Sequence, residues 1–78
     1  MNQAAFERGR QQAKEALARW QRTRFRSPEA YRRFLLRETR RRIESLKRKA
    51  QTGPVSSRWE HEVSWQQGFL SGLAEDRS

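Results

Sequence analysis

Cysteine is absent from this chain, which rules out disulfide staples, thiol nucleophiles and cysteine-ligated zinc together. Long apolar runs are missing as well. None is longer than Phe34-Leu35-Leu36, too short to span a membrane or form a signal-peptide core. Histidine occurs once, as Glu60-His61-Glu62, and helical neighbours diverge by about 100° instead of converging on one ion. No Gly-rich phosphate loop, H-E-x-x-H helix, nucleophile elbow or convergent acid pair appears. The expectation is a non-enzymatic chain with no cofactor, no metal site and no membrane partner, soluble and cytoplasmic. Acids are also scarce, 9 Asp and Glu against 18 Lys and Arg, leaving a formal charge of +9.

Seventy-eight residues make a single domain, 1–78, that buries only about 60% of its unfolded surface and is marginal alone. Self-association or a partner would remedy that. Hydrophobic residues are 33% and charged residues 35%, a balance that leans toward disorder, but three Trp, four Phe and one Tyr supply large apolar bodies. A folded chain is expected.

Three amphipathic segments are legible. Residues 3–22 carry Phe6, Ala13, Ala16, Leu17 and Trp20 on one arc at helical spacing. Ser27-Pro28-Glu29 then reads as a helix start, with an N-cap hydroxyl, proline at the first position and an acid at the positive end of the dipole. The second helix should run over 28–51, ended by Thr52-Gly53-Pro54, with Gly53 suited to a left-handed turn. Ser57 and Glu60 have capping-box spacing and open a third helix over 57–74. The fold class expected is all-α, a small three-helix bundle or a helical hairpin plus third helix. Phe6, Leu17, Trp20, Tyr31, Leu35, Ile43, Leu46, Trp59, Val63, Leu70 and Leu73 should supply most of its core. Glu62 and Arg42 fall on or beside apolar stripes, and a pair across the core would account for both.

Charge is unevenly placed. Residues 1–26 hold seven cations and two acids, residues 27–51 nine and three, and residues 52–78 two and four. Within the second helix Arg33, Arg37, Arg40, Arg41, Lys47 and Arg48 share one side, opposite Tyr31, Leu35, Ile43, Leu46 and Ala50. Arg22, Arg24 and Arg26 extend the basic region toward the first helix. Fifteen of the eighteen cations are Arg, whose planar fork grips phosphate or carboxylate and stacks on bases. In composition Arg37 to Lys49 is similar to arginine-rich RNA-binding helices, a likeness that names no family. A helix-turn-helix reading fails, because the third helix would be the recognition helix and Arg58 is its only cation.

Two functions follow as expectations. The first is binding of nucleic acid, RNA or DNA, through phosphate contacts from the Arg-rich helix, with Phe25 and Trp65 available to stack on bases. The alternative is a regulatory or inhibitory protein of the phage or mobile-element type, docking on an acidic surface of a host protein or nucleoprotein. The third helix has an apolar arc wider than one neighbour requires. It is expected to contact a second chain, a homodimer partner or a host protein, through Trp65, Phe69, Gly68 and Gly72.

Overall fold

The computed structural model describes residues 2–75. Helix α1 is Gln3–Ala18, followed by a single 3-10 turn, Trp20–Arg22; α2 is Pro28–Thr52 and α3 is Ser57–Glu75. The expected all-α architecture of three helices is present. Local chemistry explains the starts. Asn2 Oδ1 accepts from the Ala5 amide at 3.0 Å, and Ser27 Oγ accepts from the Ala30 amide at 3.2 Å with Pro28 behind it. The first helix ends four residues before its expected limit. Thr23 Oγ1 donates to the Trp20 carbonyl at 2.6 Å and accepts from the Phe25 amide at 3.2 Å, tightening the chain into the 3-10 turn instead.

Two further local expectations are corrected. The hydroxyl that caps α3 belongs to Ser56, not Ser57: Ser56 Oγ accepts from the Trp59 amide at 3.3 Å, so the Ser57/Glu60 box does not form. Gly53 is fully extended, at φ 177 and ψ 179, and not left-handed. Helix α2 is closed by Thr52 Oγ1 donating to the Lys49 carbonyl at 3.1 Å.

Helices α1 and α3 run parallel. The Asn2 amide donates to Ser64 Oγ at 2.9 Å, Phe6 faces Gly68, Arg10 faces Gly72, and Lys14 reaches Glu75, so position numbers rise together on both helices. Ala5, Gly9 and Ala13 on one side and Ser64, Gly68 and Gly72 on the other recur every fourth residue and are all buried. Small side chains at that spacing let two backbones touch. A methyl on Gly68 would collide with the Phe6 carbonyl oxygen and lie 2.7 Å from its carbon; on Gly72 it would sit 2.5 Å from the Arg10 carbonyl oxygen. On Gly9 it would strike the Trp65 carbonyl. The close approach expected at Gly68 and Gly72 is therefore real, but the facing backbone is this chain's own α1. These two glycines are not exposed to a second chain.

Helix α2 packs antiparallel on α3, with little contact to α1. Thr39 and Ile43 are its only buried residues, and Thr39 satisfies its hydroxyl by donating to the Leu35 carbonyl at 2.7 Å. Lower on the seam Trp59 Nε1 donates to the Leu46 carbonyl at 2.7 Å. At the other end Ala13, Leu17 and Leu73 form a cluster against which Tyr31, Leu35, Leu36 and Phe69 pack half-buried. Leu17, Ile43 and Leu73 are thus core as expected. Phe6, Trp20, Leu46, Trp59, Val63 and Leu70 are only half-buried, because the tightest contact in the molecule is made by small residues. Glu62 and Arg42 are both exposed, so no ion pair crosses the core. Glu62 instead accepts from Gln66 Nε2 at 3.2 Å.

Candidate nucleic acid interface

Helix α2 has 25 residues, a rod of about 37 Å that accounts for most of the molecule's 41 Å long axis. Its seam with α3 needs only a narrow stripe, so most of the circumference is left to solvent. Taking Ile43 as the origin and 100° per residue, Lys47, Arg40, Arg33, Arg37, Arg48 and Arg41 fall in an arc of about 120° beginning about 40° from the seam. All six are exposed, as are Arg22, Arg24 and Arg26 on the 3-10 turn and the connection that follows it. From Arg33 to Arg48 the rod advances about 22 Å, an axial length over which one strand of a duplex presents about six phosphates.

Between Arg33 and Arg48 one acid, Glu44, falls inside this arc, so the flank keeps most but not all of its charge. Among the described residues only Arg41 of the six has a carboxylate within ion-pair range, Glu38 one turn away at 3.8 Å, where both groups are open to water. Helix α1 differs. Arg10 meets Glu75 at 2.8 Å and Glu7 at 3.2 Å, and Lys14 meets Glu75 at 3.2 Å. The Glu75 carboxyl is held below its ordinary range, first by the Arg10 hydrogen bond and then by Lys14; Arg10 is raised, chiefly by Glu75. Arg10 and Lys14 of α1 are therefore partly neutralised within the fold, whereas of the six flank cations of α2 only Arg41 has such a partner among the described residues, and an exposed one.

The aromatic candidates separate. Phe25 lies 5.2 Å from the rings of both Tyr31 and Phe34, closing the joint between α1 and α2, so it belongs to packing and is not an open platform. Trp65 is half-buried and stacked on Phe69, with centroids 5.1 Å apart and planes at 14°. It also lines a shallow groove of about 370 Å³ with Arg42, His61, Glu62 and Gln66. A second groove, about 340 Å³, lies below it along the α2–α3 seam and includes Trp59, Lys49, Arg58 and Val55, with Glu62 common to both. His61 is exposed, and no group of three or more metal-ligating side chains forms among the described residues. No described helix is long and apolar enough to cross a membrane.

The chain matches no known protein family, curated protein or solved structure. The site is therefore read from its own chemistry. Reasoning from sequence found the basic flank but missed Gln66, which is only 4% exposed. Its signal was available. Gln66 falls among Trp59, Glu62 and Leu73 when α3 is wound at 100° per residue, a polar side chain in the middle of an apolar arc.

Proposed function

We propose that this protein binds nucleic acid without performing chemistry on it, holding the phosphate backbone along the basic flank of α2. One observation carries the reading: six exposed cations on one face of a rigid helix, spaced over a length that matches a run of phosphates, with Glu44 the one acid among them and Arg41–Glu38 the one ion pair they make among the described residues. The affinity is electrostatic, from release of counterions, and base sequence contributes little to it. Arg22, Arg24 and Arg26 prolong the contact beyond the start of α2.

Binding measured by fluorescence anisotropy over a series of salt concentrations tests this. Six phosphate contacts give a log–log slope of about −4 on single strands and about −5 on duplex DNA. Replacing Arg33, Arg37, Arg40 and Arg41 by Glu abolishes binding while the helical circular dichroism signal stays. Unchanged affinity in that folded variant overturns the reading. An acidic protein surface is the competing occupant. Its signature is a specific protein that remains bound after nuclease treatment, with no nucleic acid affinity in the purified chain.

A further inference from the structure

The two grooves on the α2–α3 seam differ from the basic flank in having aromatic walls. Each contains one tryptophan and at least one cation, Trp65 with Arg42 in the upper groove and Trp59 with Lys49 and Arg58 in the lower, and the Glu62 carboxylate stands between them as a wall of both. Phe69 stacked on Trp65 holds that indole in a fixed plane, and the Trp59 indole is pinned by its bond to the Leu46 carbonyl. Fixed aromatic rings beside cations are how single strands are bound without regard to sequence, bases on the rings and phosphates on the charges.

The upper groove has a further feature. Gln66 Oε1 is buried and accepts no hydrogen bond, while its amide nitrogen is engaged by Glu62. Buried acceptors are nearly always satisfied, and an orphan marks either stored strain or a ligand's place. What fits is an N–H donor on a flat, stackable group next to an anion. An unpaired nucleobase offers that combination, since its Watson–Crick donors are unoccupied. In a duplex they are paired and the base is held in the stack.

The flank and the seam are connected. Arg42 follows Arg41, and Lys49 follows Arg48, each stepping about 100° across the outer side of α2 to the face opposite the flank, where the two side chains line the grooves. These two steps are seven residues, about 10 Å, apart, and each leads to one groove. We propose that the preferred ligand is single-stranded nucleic acid, whose backbone lies on α2 and whose unpaired bases enter the seam, one against Trp65, turning the Gln66 amide so that Oε1, otherwise closed to solvent, accepts from the base edge. The proposal rests on the phosphate-binding reading above and names the ligand class for it. A duplex is too stiff to wrap the outer side of α2 and has no base to offer.

Labelled RNA and DNA strands of about 12 nucleotides, each single and annealed to its complement, provide the test, within the range of single-strand site sizes. Single strands should bind about tenfold or more tightly than duplexes at equal salt and quench tryptophan emission. Gln66→Leu should weaken single-strand binding by roughly three- to tenfold without weakening duplex binding. Arg42→Gln, an exposed change, should do the same if Gln66→Leu disturbs folding. Equal affinity for single strands and duplexes, with both variants indistinguishable from wild type, overturns the seam proposal and leaves the phosphate reading intact. Failure of the wild-type protein to bind any of the four ligands removes both.

Discussion

Helix α1 meets α3 through glycine, alanine and serine, backbone against backbone, whereas α2 meets it through Thr39, Ile43 and a few half-buried side chains. The first contact leaves no volume to vary. The second leaves most of a helix outside. A small domain with little apolar material can gain a rigid pair cheaply by bringing two backbones together, since contact area comes from main chain instead of large side chains. That leaves the long helix free of core duty over most of its circumference, and it is there that arginines accumulate.

The sharpest way to break this division is to add volume at the α1–α3 contact. Gly68→Leu should lower stability by at least about 3 kcal/mol, because the obstacle is the Phe6 backbone and not a movable side chain. The thermal midpoint should fall by about 12 °C or more. Gly53→Ala is the control, since nothing lies within 4 Å of the added methyl and the backbone there is extended; its midpoint should stay level or rise slightly. A similar loss at both positions would show that glycine matters here for the chain's flexibility and not for close approach.

Charge reversal on α2 tests the other half. The quadruple replacement of Arg33, Arg37, Arg40 and Arg41 by Glu should reduce nucleic acid affinity by at least about a hundredfold at low salt while moving the melting temperature little, because all four are exposed. Unfolding of that variant would show that the flank also supports the fold. Ser27→Ala should cost about 1 kcal/mol, the usual loss for an N-cap hydroxyl, seen as a fall of roughly 4–8 °C in the midpoint. The smallest effect belongs to Glu75. Its carboxyl is depressed by Arg10 and Lys14, so what it contributes is present above its unfolded range and is lost as pH falls through the lowered folded one. Wild type and Glu75→Gln should differ by only a few degrees at neutral pH, the pairs being exposed, and the gap should close in acid.

Much of this was readable from residue order alone. The limits of α2 followed from Ser27-Pro28 and Thr52-Gly53-Pro54, and its basic flank from the spacing of Arg33, Arg37, Arg40, Lys47 and Arg48. What escaped was the α1–α3 contact. A search for core residues looks for large apolar side chains, and it passed over Ala5, Gly9 and Ser64, whose importance lies in being small. Gly68 and Gly72 did signal close approach, but one chain of letters cannot say whether the approaching backbone is its own. Arg42 and Glu62 were paired on the assumption that each had to be buried. Both side chains are long enough to reach water from the edge of the seam, and they do.

The glycine-lined contact also sets the order in which the molecule can assemble. The Asn2–Ser64 bond joins positions 62 apart in sequence, while α2 and α3 are joined by a short turn and touch through residues as near as 13 positions, Leu46 and Trp59. Loop closure favours the near pair, so the α2–α3 hairpin forms early and α1 docks last. Changes at Gly9 or Gly68 should then appear almost wholly in the unfolding rate, and changes at Ile43 should slow folding. Once docked, α1 makes the more extensive contact with α3, so the element most easily loosened from the finished molecule is α2, held by its narrow seam.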